Sequence, residues 1–487
     1  MGVLCVFIWI IDSIPGISDT IFKCLSALLI AVIPLVYISF KHKDSTEERF
    51  EFYAFLIILA GFLFHAFYIF IKPYNCNIHD LGKFTPDGVD RIDSGHLGYI
   101  SYLYNNRHLP DFDPREVWSF YNPPGFHIVS ALWYGFNRFI GIPYRTSLEN
   151  LQIITLAIST GIIMAIYKIM LELFPKNKNL LLMLAFVSFF SFFTYTAAAV
   201  NNDGLAAMLY LISILYTIRW HRSRDIKNIC MIAVTVGLGM FTKINNALIA
   251  IPIGFLFIYD MIKDRKNIKK YILQYALFIV ICAPLGLFWS IRNYVLYKIP
   301  PNYVQRFSSD IVQYMGNINK LEYIGLPSLE ALTYPFPEMT PYYNHNLWLQ
   351  LIKTSIFDEY NPQMSPLSII AVMVIFMWSA IAMWIMSFVS HIRVLFNKKA
   401  LKPEMKFFFS VLFITQIVSI VKFTFEFPFT FTMHFRYVMP MILMPCVAIC
   451  ALLNSKPEGN TESKYINRFM LLFVFLSMCC NVLVTIL

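Results

Sequence analysis

The apolar positions of this chain are gathered in runs of about 20 residues, separated by short segments that hold most of the charge. A run of this length crosses roughly 30 Å of hydrocarbon as an α-helix. The pattern therefore predicts an all-α integral membrane protein with about 12 to 13 transmembrane helices. The predicted helices cover residues 20–40, 52–71, 151–174, 180–200, 204–220, 229–242, 244–262, 271–297, 367–389, 407–421, 433–453 and 469–487.

One further apolar stretch, residues 123–142, has a different character. It contains two prolines together with Asn137 and Arg138, and its apolar residues follow an amphipathic pattern. We expect it to lie at the membrane interface or to re-enter the bilayer without crossing. The two long polar loops, 72–121 and 298–366, then lie on the same side of the membrane.

Lysine and arginine are concentrated in the short loops of the opposite side. Because cytoplasmic loops are enriched in these residues, we expect the short loops to be cytoplasmic and the two long loops to be extracytoplasmic. The basic loops cover residues 41–49, 176–178, 219–227, 263–270, 393–406 and 456–468.

Composition supports the same class of protein. Hydrophobic residues make up 58% of the chain and charged residues 14%, whereas soluble domains carry about 25% charged residues. The net charge is +10, but membrane orientation explains the basic loops better than nucleic-acid binding does. Of nine cysteines only Cys76 lies in a long polar loop, so no disulfide or zinc site is predicted. The apolar run 3–11 lacks a basic leader and is expected to be a short membrane segment.

The first long loop holds a candidate for chemistry. Asp80 follows the predicted helix 52–71 closely and has His79 beside it. A carboxylate held at the membrane surface can serve as a general base or as a metal ligand. The other carboxylates of this loop are expected to be ordinary solvated charges.

Further polar residues fall at the predicted outward ends of helices. Each of them alone could be a capping or snorkelling residue. Together on one face, acidic and cationic groups indicate a site that binds an anion such as a phosphate. These residues are Asn201, Asn202, Asp203, Lys243, Arg292, His434, Arg436 and Tyr437.

Several familiar motifs are absent from the sequence. It contains no Walker A motif, no HExxH, no GxSxG and no glycine-rich dinucleotide loop. ATP hydrolysis and serine-hydrolase chemistry are therefore not indicated. A reaction outside the membrane would then draw its energy from the substrate, and a lipid-linked activated group is the natural donor.

Short motifs spread over residues 52–440 resemble those of the GT-C glycosyltransferases. The resemblance is to the bacterial branch related to the protein O-mannosyltransferases and to the lipid A aminoarabinose transferases. It rests on His79-Asp80-Leu81-Gly82, Gly95-His96-Leu97-Gly98-Tyr99, Leu109-Pro110-Asp111, Tyr121-Asn122-Pro123-Pro124, Asn202-Asp203 and Arg436-Tyr437.

The resemblance implies a GT-C-like bundle in four segments. These are N-terminal membrane helices (1–49), a catalytic membrane module (50–297), the second outer loop (298–366) and C-terminal membrane helices (367–487). The catalytic module includes the first outer loop and the stretch 123–142. A multi-pass protein of the bacterial plasma membrane is implied, with its active site outside the cytoplasm.

The resemblance also implies an activity, namely sugar transfer with inversion from a polyprenyl-phosphate carrier to a glycan, lipid or protein acceptor. Asp80 would take the proton from the acceptor hydroxyl. Arg436, with Arg292 and Lys243 as helpers, would neutralise the departing lipid phosphate. Asp203 would orient one of the sugars.

The family's motifs place three further residues at the substrate, namely His96, Tyr99 and Tyr437. The resemblance also implies a divalent cation, with His79 and Asp80 as ligands and His96 beside them. Two departures bear on these expectations. Many relatives have a histidine where this chain has Asn122, which weakens a metal site at that point, and two extra helices precede residue 52.

Two other classes of function stay open. A transporter or flippase of a lipid-linked or anionic substrate should show charged residues in mid-helix and paired broken helices, but the mid-helix positions are almost wholly apolar. A non-catalytic scaffold would not need converging acidic and basic groups. In the second loop, His345, Trp348 and Lys353-Thr354-Ser355 would either cover the site or pack on the membrane surface, and packing is favoured.

Overall fold

The computed structural model describes residues 1–13, 20–41, 46–76, 79–85, 93–301, 303–337, 340–360 and 367–486. Within these ranges the chain forms helices and no strands, as predicted. The first helices are α1 (Gly2–Ser13), α2 (Thr20–Lys41), α3 (Thr46–Ile71), α4 (Gly95–Asn106), α5 (Gly125–Phe139), α6 (Tyr144–Glu149), α7 (Leu151–Leu173), α8 (Lys178–Ser188), α9 (Ser191–Ala198) and α10 (Asp203–Ser223). They are followed by α11 (Ile226–Thr242), α12 (Ala250–Lys263), α13 (Ile268–Tyr297), α14 (Lys320–Ile324), α15 (Pro341–Asn344), α16 (Leu347–Phe357), α17 (Leu367–Phe396), α18 (Pro403–Glu426), α19 (Leu443–Asn454) and α20 (Thr461–Ile486).

The polytopic membrane architecture is confirmed. Among the described helices, eight are long and apolar enough to cross a membrane, and nine if the pair α8 and α9, bent by 44°, is one span. The three other predicted spans, 20–40, 204–220 and 229–242, are helical as predicted but shorter or more polar. The count by length and composition is therefore lower than the predicted 12 to 13.

Helix α5 corresponds to the stretch that was predicted to stay at the interface. Its 15 residues give a length of about 22 Å, which is short of the roughly 30 Å needed to cross. The face carrying His127 and Tyr134 is buried, whereas Leu132 and Phe139 on another face are exposed. The helix is amphipathic, as expected.

The chain folds into two compact units. The first comprises Met1–Glu172 with Tyr195–Gln305, and the second comprises Leu173–Thr194 with Arg306–Leu487. In the first unit, α11 packs against both α10 and α13. The approach to α13 is close because Gly237 lacks a side chain, and a Cβ there would lie 2.8 Å from Leu285 Cβ.

The first unit has two chemically different ends. At one end Gln152, at the start of α7, donates to the carbonyls of Lys72 and Ala198 at 3.2 and 3.3 Å. This joins the ends of α3 and α9 to α7, on the side of the first long loop. At the other end, Glu172 accepts hydrogen bonds from Arg219 and Arg222.

In the second unit, α17 packs against α19 and α20, and α8 contacts α19 and α20. Ser477 Oγ of α20 donates to the carbonyl of Phe189, just after α8, at 2.6 Å. Asn177 Nδ2, at the start of α8, donates to Asn454 Oδ1 at 2.9 Å. These contacts fasten both ends of α8.

Candidate functional site

Two glycine-containing segments of the first loop cross at close range. Gly82 and Gly95 both have positive φ, 67° and 82°, a conformation that costs glycine little. A Cβ on Gly82 would lie 1.8 Å from the carbonyl oxygen of Ser94. His96 N donates to the carbonyl of Asp80 at 2.9 Å. Two of the motifs that carry the family resemblance are thus parts of one backbone arrangement.

Asp80 lies within this crossing. Its backbone has φ of 53°, a left-handed conformation that aspartate tolerates better than most residues. Its side chain is half-buried, whereas the neighbouring His79 is buried. The backbone contacts therefore hold a partly accessible carboxylate in a defined position, which a general base requires.

Behind the crossing, His96 and Tyr99 form a buried cluster with His127 of α5. His96 Nδ1 and His127 Nε2 are 2.9 Å apart, and the Tyr99 ring stacks on the rings of His127 and Phe120. Burial, together with the neighbouring His96 ring, holds the pKa of His127 well below its usual range. The His127 imidazole is therefore uncharged at neutral pH, and its contact with His96 joins α4 to α5.

The substrate contacts of His96 and Tyr99 stay a prediction, and both side chains are almost fully buried. This position suits residues that support the site from behind. Sequence reasoning did not select His127. Its place three residues after Pro124, at the start of an amphipathic helix, was the only available signal.

Asp203 and Lys243 form an ion pair in the first unit. Asp203 opens α10, where the helix dipole favours a negative charge, and Lys243 caps the end of α11. Asn202 Nδ2 supports this joint by donating to the carbonyl of Thr242 at 3.1 Å. The two predicted site residues therefore neutralise one another.

The stretch before α5 connects this ion pair to α13. A Cβ on Gly125 would lie 2.8 Å from the carbonyl oxygen of Phe241, next to the end of α11. Trp289 Nε1 of α13 donates to the carbonyl of Tyr121 at 3.0 Å. The Tyr121-Asn122-Pro123-Pro124 motif thus lies against both helices.

Arg292 lies near the end of α13 and is half-buried. Its guanidinium lies 5.1 Å from the centre of the Trp289 ring and donates to the carbonyl of Pro110. Next to Pro110, Asp111 accepts a 2.8 Å hydrogen bond from Tyr102. That bond, with the charges of His108 and Arg292, holds the pKa of Asp111 below its usual range. Arg292 therefore anchors the first loop.

In the second unit, Arg436 and Tyr437 lie in the 3₁₀ stretch before α19. Arg436 Nη2 donates to the Tyr437 hydroxyl at 3.0 Å. His434 Nδ1 accepts from Arg436 N at 3.1 Å, and His434 Nε2 lies 3.2 Å from Asp358 Oδ1. Sequence reasoning missed Asp358, because nothing in its surroundings distinguishes it from a loop carboxylate.

The late residues Lys353, Thr354 and Ser355 are buried within the second unit. Lys353 Nζ donates to Asn344 Oδ1 at 3.1 Å, and Thr354 Oγ1 accepts from Phe435 N at 3.0 Å. Trp348 Nε1 donates to the carbonyl of Ile324 at 2.8 Å, and His345 Nδ1 lies 3.0 Å from the carbonyl of Pro341. Lys353 and Thr354 therefore pack in the protein interior, whereas the contacts of His345 and Trp348 are partly exposed.

The donor types present are compatible with the expected divalent cation. Imidazole and carboxylate groups, such as those of His79 and Asp80, are ligands of Zn²⁺ and Mn²⁺. His96 contacts His127 through Nδ1. A cation held there would supply positive charge beside the reacting groups.

Residues 145–289 match the family model of the dolichyl-phosphate-mannose-protein mannosyltransferases. The matched stretch includes Asp203 and Lys243 and ends three residues before Arg292, while Asp80 precedes it and Arg436 follows it. No curated protein matches the chain. The match supports a polyprenyl-phosphate-sugar donor. Combined with the all-helical membrane architecture, it supports a membrane glycosyltransferase of the GT-C type.

Proposed function

We propose that the protein transfers a sugar, with inversion, from a polyprenyl-phosphate carrier to a hydroxyl group on the extracytoplasmic side, with Asp80 as general base. The observation that carries the proposal is the backbone crossing that holds Asp80 in the first unit. This unit also contains most of the stretch that matches the family model, namely residues 145–172 and 195–289.

The reaction would be a single displacement. The Asp80 carboxylate removes the proton of the acceptor hydroxyl while the acceptor oxygen attacks the anomeric carbon. The bond between that carbon and the phosphate oxygen breaks, and its electron pair leaves with the polyprenyl phosphate. Attack from the face opposite the leaving group inverts the anomeric carbon.

Negative charge on the departing phosphate calls for fixed cations. Arg292 suits this role because stacking on Trp289 orients its planar guanidinium. Lys243 is already neutralised by Asp203, so we assign it a smaller contribution to phosphate binding than Arg292 makes. We assign Asp203 the role of orienting a sugar hydroxyl. We also propose that Arg436, next to Tyr437, binds the phosphate, as the family resemblance implies.

The side of the membrane follows from charge. The end of the first unit away from the first long loop carries Arg219, Arg222 and Arg224. Basic ends of this kind face the cytoplasm. We therefore place Asp80 on the extracytoplasmic side of a bacterial plasma membrane, where it would face a glycan, lipid or protein acceptor.

The proposal can be tested with purified protein and a panel of radiolabelled polyprenyl-phosphate sugars. We expect one donor to release its sugar with the wild type and not with Asp80→Asn. Asp113→Asn is a matched control, since Asp113 lies in the same loop and pairs with Arg115 at the surface. Equal release by the wild type and Asp80→Asn would refute the base. Lipid translocation without release would favour the transporter.

A further inference from the structure

A groove of about 990 Å³ runs between α4 and α5 in the first unit. The two helices run in the same direction, because His96 faces His127 at their starts and Tyr104 meets Tyr134 further along, with ring centres 4.8 Å apart. The groove therefore lies towards the carboxyl ends of both helices, away from the imidazole pair.

Positive charge converges on this end of the groove. Arg107 follows the end of α4, and Arg138 lies in the last turn of α5. Both side chains are exposed, and Arg138 uses one of its five N–H donors on the carbonyl of Ile142, at 2.6 Å. Among the described residues that line the groove, none is acidic. An anion would meet the positive charge of Arg107 and Arg138 there.

The wall formed by α5 is apolar. Leu132, Phe136 and Phe139 line the groove, and their side chains are 70%, 44% and 88% exposed. A spacing of four and three residues places them on one face of the helix. Large apolar side chains exposed in a row indicate contact with a partner or with lipid.

The geometry points to a binding site for an anionic phospholipid in this groove. Its phosphate would lie between the guanidinium groups of Arg107 and Arg138, which bind phosphate oxygens in pairs. Its acyl chains would run along Leu132 and Phe139. A soluble anion would leave this apolar wall in water, and a zwitterionic lipid would bring a cation towards the arginines.

The site is separate from the proposed reaction centre. Arg138 follows His127 by 11 residues on α5, which corresponds to about 16 Å along the helix. Occupation of the groove would hold α5 at the membrane surface, and thereby its first residues against α11.

The test uses the full-length protein in a neutral detergent. Native mass spectrometry measures the affinity for dioleoyl phosphatidylglycerol and for dioleoyl phosphatidylcholine. We expect phosphatidylglycerol to bind more tightly, and Arg107→Gln with Arg138→Gln to weaken it about 25-fold, or about fivefold for each arginine. The control, Arg145→Gln with Arg265→Gln, removes two exposed charges elsewhere in the unit and should retain the wild-type affinity.

Other results would overturn the site. Equal affinity of the wild type for both lipids, or an equal loss in the control, would show that no specific site exists. If glycerol phosphate competes as well as the whole lipid, the groove binds a soluble anion. Arg107→Lys with Arg138→Lys retains the charge should the glutamine pair not fold, and it should still prefer phosphatidylglycerol.

Discussion

The ion pair of Asp203 and Lys243 allows a prediction that separates stability from catalysis. The two side chains are only 6% and 18% exposed, so both charges are largely withdrawn from water. Replacing Asp203 with asparagine leaves an ammonium group without its counter-charge, and replacing Lys243 with glutamine leaves a carboxylate in the same state. Each single substitution should therefore destabilise the protein.

The size of the effect follows from the burial. Opposite charges about 4 Å apart attract by about 4 kcal/mol at an effective dielectric constant of about 20. Breaking a buried pair costs about 3 to 5 kcal/mol, and the residual exposure of Lys243 favours the lower end. We expect about 3 kcal/mol for each single variant. The double variant has no stranded charge and should lose no more than either single variant, which gives a coupling energy of at least about 3 kcal/mol.

The assay is unfolding in mixed micelles titrated with SDS, analysed as a double-mutant cycle, alongside sugar release from the donor. A coupling energy below about 0.5 kcal/mol would refute the pairing. The exchanged variant, Asp203→Lys with Lys243→Asp, should regain most of the stability but not the activity, because a lysine cannot accept the sugar hydroxyl's hydrogen bond. Wild-type activity in the exchanged variant would make the pair purely structural.

Three further predictions concern single residues. Asp80→Asn should lower kcat by about 10²- to 10⁴-fold, measured as sugar release, while Asp113→Asn stays within about twofold of the wild type. Arg436→Lys should lower kcat/KM for the donor by at least about tenfold, since the fork geometry is lost; Arg306→Lys, an exposed change in the same unit, should leave it unchanged. The depressed pKa of His127 means that the unfolded chain binds more protons than the folded protein as the pH is lowered through about 6.5. The free energy of unfolding should therefore fall as the pH is lowered, with a slope that rises to about 1.4 kcal/mol per pH unit. An unfolding series from pH 7.5 to 5.5 should show this slope in the wild type and a smaller one in His127→Gln.

Helix positions could be predicted well because membrane spans are long apolar runs that depend little on tertiary contacts. One exception is 180–200, which was predicted as one helix and is two, α8 and α9. No proline or glycine marks the break. The carbonyl of Phe189 accepts a hydrogen bond from Ser477, so a contact with a distant helix accompanies the bend. A local pattern cannot contain that information.

The sequence indicated several residues of the candidate site, but it did not show how they are arranged. Asp203 and Lys243 were both selected, yet nothing in the sequence shows that they pair. The glycines of the first loop were visible as motifs, but only the structure shows that Gly82 and Ser94 are in contact. His127 lacked any motif and was missed, because its function depends on a partner 31 residues away.

Two neighbouring residues of α5 show that polar residues in one apolar stretch can have different structural roles. Asn137 faces the protein, where its Oδ1 accepts hydrogen bonds from Trp9 Nε1 at 2.9 Å and Asn150 Nδ2 at 2.7 Å. Arg138, about 100° further around the helix, faces the groove. The first residue attaches α5 to the first unit, and the second would attach it to lipid. Because α5 begins at Gly125 against α11, both attachments act on the helix that supports the proposed site. A substitution of either residue should therefore alter activity, although neither side chain contacts a substrate.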